Sequence, residues 1–198
     1  MLSTAGTDNR YYRAAPPRSR RAAGFSMIEL VVGVALSMVV AAIAIPAAQN
    51  LVRTYRLQGD TNALSSQLSM AKMRAAANFA NGELTFDTGA STYQTKLCTT
   101  GCSTASNWAS DGPQLKLSPG ISFGYGTISA AAQPQSSVAQ TSPVIFNSRG
   151  YPVDSGGAAT SNNAIYVTDG TSYRAITVYA DGKIAIWRYQ SSGWTAVR

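Results

Sequence analysis

The chain has 198 residues, of which 45% are hydrophobic and 13% are charged, and its formal net charge at pH 7 is +7. It contains no histidine, which excludes Ser-His and Cys-His nucleophile pairs and histidine metal ligands. A Walker loop and a dinucleotide-binding fingerprint are also absent from the sequence, so no motif predicts an enzyme, a metal site or a cofactor.

Basic residues are concentrated at the start of the chain. Five of the 16 basic residues lie in residues 1–24, together with one of the nine acidic residues. The rest of the chain therefore has 11 basic and eight acidic residues and is close to neutral. The positive charge thus belongs mostly to a basic leader and does not indicate a surface for nucleic acid.

Residues 25–48 form an apolar segment in which Glu29 is the only charged residue. As a helix the segment spans about 36 Å, which exceeds the hydrocarbon core of a bilayer, about 30 Å thick. It therefore predicts a transmembrane helix. Because the arginines precede it, we expect the leader in the cytoplasm and the C-terminal part outside. A secretory signal is the alternative. Such signals have an apolar core of about 7–15 residues and a small-residue cleavage site after it, whereas the segment here is longer and no such site follows it.

Two residues of this segment have special consequences. A carboxylate deep in the bilayer costs about 2.5–3.5 kcal/mol when it is unpaired. Glu29 must therefore either lie at headgroup depth or have a partner. Pro46 lacks a backbone N–H and is expected to bend the helix.

Residues 20–29, RRAAGFSMIE, resemble the processing signal of type IV prepilins. The resemblance implies cleavage between Gly24 and Phe25 by a prepilin peptidase, followed by N-methylation of Phe25. It also implies that Glu29 pairs with the terminal amine of Phe25 on a neighbouring subunit and thereby sets the register of a filament. The implied partners are other pilins or pseudopilins, the peptidase and the inner membrane.

Apolar residues continue at helical spacing beyond the membrane segment, from Leu57 to Phe79. We predict one helix that ends near Phe79, with Asn81-Gly82 as its stop signal. The predicted organisation is a leader at residues 1–24, a membrane helix at 25–48, an amphipathic helix at 49–82 and a globular head at 83–198.

The head shows the alternation of β-strands, separated by glycine, asparagine and serine. The predicted strands are residues 83–88, 93–98, 114–118, 121–128, 144–148, 164–168, 173–179 and 183–190. Asp181-Gly182 predicts a tight hairpin turn, and the polar residues 129–143 predict an exposed loop. One long helix followed by strands predicts an α+β domain with the helix packed on antiparallel sheet.

Cys98 and Cys102 are four positions apart around Gly101. Two thiolates do not complete a four-ligand zinc site. In an oxidising compartment the two cysteines are expected to form a disulfide, and in a reducing one they stay free thiols.

The mature chain as a whole resembles the GspH/FimT group of minor pilins and pseudopilins. The resemblance lies in residues 56–57, 63–64, 68 and 71 of the helix, in the cysteine loop followed by Trp108, and in residues 147–150 and 164–170. It implies a type IV pilin-like fold with a two-sheet head in the periplasm. It also implies a structural, non-enzymatic subunit of a type II secretion pseudopilus or a type IV pilus.

DNA capture for natural transformation is the alternative function, since some members of this group take up DNA. Arg174, Lys183 and Arg188 are interleaved with tyrosine and tryptophan, a combination that can hold phosphates and stack bases. Strand alternation places Lys183 and Arg188 on opposite faces, which favours a solvated hairpin. A plain membrane-anchored domain is a third possibility, and it predicts that Glu29→Ala leaves assembly unchanged.

Overall fold

A computed structural model describes residues 24–191 and 193–197, so that the predicted leader, apart from Gly24, lies outside the described residues. The chain divides into two units, residues 1–44 and 45–198. A single helix, α1 (Met27–Ala77), begins in the first unit and ends in the second. The described residues of the first unit are 24–44, which are the three residues before the helix and the part of the helix up to Ala44.

The part of α1 in the second unit packs on the head with the face that the sequence predicts. The residues of α1 that become buried are Leu57, Thr61, Leu64, Leu68, Ala71 and Ala75. Phe79 was predicted to extend this face, but α1 ends at Ala77 and the Phe79 side chain is 88% exposed. The amphipathic period therefore predicts the buried face correctly up to the last turn.

The predicted stop signal of α1 is wrong. The helix ends without glycine: Phe79 adopts a left-handed conformation with φ of 49°, and the Ala80 N–H donates to the Ala75 carbonyl at 3.0 Å. Gly82 lies in the first strand instead, where a Cβ atom would stand 2.5 Å from the Ala71 carbonyl oxygen. Glycine is needed there because the strand passes very close to the helix backbone.

We expect Gly82→Ala to lower the free energy of unfolding by about 1–3 kcal/mol, because the added methyl group forces the strand away from the helix. Gly193→Ala is the matched control: Gly193 also lies in a strand, and a Cβ atom there has no neighbour within 4 Å. Urea denaturation of the solubilised full-length chain measures both variants. Equal stability of the two would contradict the close approach.

The described residues of the head form two antiparallel sheets with eleven strands. These strands are β1 (Asn81–Asp87), β2 (Thr92–Cys98), β3 (Ala109–Ser110), β4 (Leu115–Lys116), β5 (Ser122–Phe123), β6 (Val144–Phe146), β7 (Pro152–Val153), β8 (Asn163–Thr168), β9 (Tyr173–Val178), β10 (Ile184–Gln190) and β11 (Gly193–Val197). The first sheet has the order β3-β2-β1-β6-β7, with β4 also paired to β2, and the second has the order β11-β10-β9-β8-β5. All eight predicted strands have counterparts, whereas β3, β7 and β11 were not predicted.

The main core lies where α1 meets both sheets. Leu64 and Leu68 of the helix, Phe146 of the first sheet and Ile165 and Ile176 of the second belong to one buried cluster. Lys72 fixes the helix further, because its ammonium donates to the Gly182 carbonyl at 2.9 Å in the β9–β10 hairpin. The predicted α+β class, with a long helix packed on antiparallel sheet, is therefore confirmed.

Residues 129–143 form a loop, as predicted, but the loop is anchored to the head by two buried residues. Ala132 is fully buried and Gln135 is 8% exposed, and both lie against the second sheet. The Tyr166 hydroxyl donates to Gln135 Oε1 at 2.7 Å and accepts from the Ala132 N–H at 3.1 Å. The segment forms a second, smaller core on this sheet, since alanine and a fully hydrogen-bonded glutamine are readily buried.

Candidate assembly site

The N-terminal end of α1 is fixed by a local cap that the sequence prediction missed. Ser26 precedes the helix, its Oγ accepts a hydrogen bond from the Glu29 N–H at 3.4 Å, and its carbonyl accepts one from the Leu30 N–H at 3.2 Å. The spacing Ser-x-x-Glu is that of a capping box, in which serine caps the helix and glutamate occupies its third position. Ser26-Met27-Ile28-Glu29 thus specifies where the helix begins, three residues after Gly24.

Gly24 and Phe25 lie just before this cap and are accessible. Phe25 is 82% exposed, and a Cβ atom on Gly24 has no neighbour within 4 Å. The carboxylate residue Glu29 is exposed as well. The geometry therefore leaves the backbone at residues 24–25 open to an enzyme, while cleavage, methylation and the role of Glu29 stay predictions.

The apolar part of α1 is not buried by the residues that the structure describes. Its most apolar window of 18 residues has a mean hydropathy of 2.6, and none of these residues is buried. Large apolar side chains such as Ile28, Leu36 and Ile43 are between 62% and 73% exposed. A surface this apolar is stable only when lipid or other apolar helices cover it.

Pro46 lies inside α1. Because proline has no N–H, the carbonyl of Ala42 lacks its usual helical donor. The helix nevertheless continues to Ala77. The bend predicted at Pro46 stays a prediction.

The two cysteines form the predicted disulfide, with 5.7 Å between the Cα atoms of Cys98 and Cys102. The loop turns at Gly101, whose φ is 66°, and the Trp108 indole N–H donates to the Cys102 carbonyl at 3.0 Å. The disulfide and the indole together hold the segment between β2 and β3. The disulfide is consistent with a head that folds in an oxidising compartment.

Comparison with known proteins identifies the N-terminal part. The family described as the prokaryotic N-terminal methylation motif matches residues 19–45, which include Gly24, Phe25 and Glu29. The N-terminal segment therefore carries a prokaryotic N-terminal methylation motif. The family match covers the apolar half of α1 and the site at which the sequence predicts cleavage.

Two solved structures of the minor pseudopilin EpsH from the type 2 secretion system of Vibrio cholerae are similar to the chain. The first has a TM-score of 0.45 and 11% identity and covers 66% of this chain and 95% of EpsH. The second has a TM-score of 0.45 and 10% identity and covers 70% of this chain and 97% of EpsH. No curated protein matches the chain.

The three cations predicted to bind DNA do not form one surface. Arg174 and Arg188 face each other on β9 and β10. Lys183 lies five residues before Arg188, about 17 Å away along an extended strand, and its ammonium stands 5.7 Å from the centre of the Tyr179 ring. Arg174 is only 6% exposed. DNA binding stays a prediction.

A buried carboxylate lies on the face of the first sheet beside the disulfide. Glu83 is 5% exposed, and its Oε1 lies 3.8 Å from the Lys96 ammonium. Burial raises the pKa of Glu83, and Lys96 opposes part of that rise. Glu83 and Lys96 line a cavity of about 270 Å³ together with Cys102 and Trp108. Within residues 24–191 and 193–197, His, Cys, Asp and Glu form no group of three or more that could hold a metal ion.

Proposed function

We propose that the chain is a GspH/FimT-like minor pilin or pseudopilin, a structural subunit of a type IV pilus or of a type II secretion pseudopilus. The observation that carries the proposal is the apolar half of α1, most of which lies within the methylation motif and which the described part of the chain leaves exposed. In the membrane, lipid covers this surface. In a filament, the helices of sister subunits take the place of lipid.

The proposed life cycle follows the order of the segments. The leader stays in the cytoplasm, residues 25–48 cross the inner membrane and the head lies in the periplasm, where the Cys98–Cys102 disulfide forms. The prepilin peptidase cuts between Gly24 and Phe25, and Phe25 is then methylated. The role proposed for the chain is assembly, without a catalytic residue or a cofactor.

Glu29 is proposed to set the subunit register. Its carboxylate and the terminal ammonium of a cleaved neighbour are each costly in an apolar filament core, and they satisfy one another only at one stagger. In the structure Glu29 is exposed, so that its side chain is available to a neighbour. The cap at Ser26 uses only the Glu29 backbone N–H, which alanine at this position would also supply.

The test compares a deletion strain with strains complemented by the wild-type chain, Glu29→Ala or Asp87→Ala. We expect Glu29→Ala to be inserted and cleaved normally but to abolish most of the function that the wild-type chain restores. Asp87 is the matched control, since it is an exposed acid at the end of β1 in the head. Surface filaments are counted by negative-stain electron microscopy, and the export of secreted proteins is measured in parallel.

The two readouts separate the two filament types. Loss of surface filaments in the deletion strain assigns the chain to a pilus, whereas normal filaments with lost export assign it to a pseudopilus. Full restoration of both readouts by Glu29→Ala would contradict the proposal and favour a plain anchored domain.

A further inference from the structure

Two arginines stand directly opposite each other in the second sheet. Arg174 of β9 and Arg188 of β10 are Cα partners in an antiparallel pair. Opposite residues of such a pair project from the same face with Cβ atoms about 4.5–5.5 Å apart, and like charges at this position repel. The pair therefore needs a compensating interaction.

The surroundings of this pair on the sheet supply little compensation. Its neighbours in the same cross-strand row are Val167 and then Phe123 on one side, and Thr195 on the other. Val167 and Phe123 belong to the main core. Two apolar core residues, Val167 and Phe123, therefore lie beside the two arginines on this face of the sheet.

No anion of the described residues neutralises the pair. The ion pairs among residues 24–191 and 193–197 are Arg74–Asp111 and Lys96–Glu83. None of the hydrogen bonds in this part of the chain involves the guanidinium of Arg174 or Arg188. Arg174 is only 6% exposed, whereas Arg188 is exposed. Burial lowers the pKa of Arg174, and the charge of Arg188 lowers it further.

We propose that Arg174 and Arg188 together bind a phosphate group, either free phosphate or the phosphate of a monoester. Each guanidinium presents a planar fork of donors that fits oxyanions, and charge-assisted bonds of this kind are the strong ones. A phosphate monoester offers three acceptor oxygens and a charge of about −1.5 to −2, which matches two cations better than one carboxylate does. Arg174 is the buried member of the pair and Arg188 the exposed one.

This site is distinct from the proposed assembly function, since it lies in the head and is measured on the purified chain. The probe is inorganic phosphate, titrated into the full-length chain in detergent micelles at constant ionic strength, at about pH 8 where phosphate is mostly dianionic. Binding is followed through the arginine Nε–H resonances and by calorimetry. We expect saturable binding of one phosphate per chain.

Arg188→Gln is the decisive variant, because Arg188 is exposed and its replacement leaves the fold intact. We expect it to weaken phosphate binding at least about tenfold, the effect of removing one charge-assisted donor pair. Lys183→Gln is the matched control, since Lys183 is an exposed cation of the same hairpin. It should leave the affinity unchanged.

A second arm identifies the source of the phosphate. The chain is placed in nanodiscs that contain either phosphatidylcholine alone or added phosphatidic acid, without free phosphate. A shift of the Arg188 resonance only with phosphatidic acid identifies a lipid monoester, whereas a response only to free phosphate identifies a soluble ligand. Absence of saturable binding in both arms would overturn the proposal, as would equal weakening by Lys183→Gln and Arg188→Gln.

Discussion

Co-expression with a prepilin peptidase is expected to yield a chain that begins at Phe25, and Gly24→Val is expected to abolish this processing. The backbone at Gly24 is exposed, and nothing lies within 4 Å of a Cβ atom there, so the substitution does not disturb the fold. A branched side chain instead blocks the close approach of the peptidase to the backbone, which glycine permits. Intact mass spectrometry measures the loss of the first 24 residues.

Gly33→Val is the matched control for this experiment. Gly33 is also exposed, has no neighbour within 4 Å of a Cβ atom and lies nine residues further along the same apolar segment. It should be processed like the wild-type chain. A wild-type chain that retains residues 1–24, or a Gly24→Val chain cut at the same bond, would contradict the assignment of the cleavage site.

The helix and its buried face were predictable because their signal is periodic and long. Leu57, Leu64 and Leu68 repeat at the spacing of one helix face, and all three are buried. The helix ends within two residues of the predicted Phe79, but its stop signal was not predictable, because Phe79 takes the left-handed conformation that glycine usually supplies. Gly82 was predicted to stop the helix, but glycine is needed there because the strand passes close to the helix backbone at Ala71. A local sequence pattern does not contain this contact.

Strand prediction located every strand of six or seven residues but missed β3, β7 and β11. β3 and β7 have two residues each, too few to show an alternation. The strand predicted over residues 121–128 is reduced to Ser122–Phe123, because Gly124 and Gly126 adopt positive φ values of 144° and 55°. Propensity gives the existence of these strands, whereas glycine conformation and pairing decide their ends.

The candidate site divides in the same way. Gly24, Phe25 and Glu29 were recognised because the motif, the basic leader and the apolar segment coincide in sequence. The cap at Ser26 was missed although its Ser-x-x-Glu signal is local. The Arg174–Arg188 pair was not predictable, since it depends on the register between β9 and β10.

The composition of the loop 129–143 does not reveal which of its residues are anchored, and Tyr166 explains the burial of Ala132 and Gln135. Tyr166 is fully buried, its ring lies 5.7 Å from that of Tyr125 and 5.6 Å from that of Trp194, and its hydroxyl bonds Gln135. We expect Tyr166→Ala to lower the free energy of unfolding by about 3–5 kcal/mol, because it removes a large core side chain and leaves a cavity. Urea denaturation of the solubilised full-length chain measures the change.

Two further variants separate the ring from its hydroxyl. Tyr166→Phe keeps the ring but leaves Gln135 Oε1 and the Ala132 N–H without this partner, and it should cost about 1–3 kcal/mol. Tyr55→Ala removes a tyrosine that is 69% exposed and should change stability little. In limited proteolysis, residues 129–143 should be protected in the wild-type chain and cut in Tyr166→Ala. Rapid cutting of the wild-type segment would show that it is the exposed loop its composition suggests, because a segment anchored by a buried tyrosine must open before a protease can bind it.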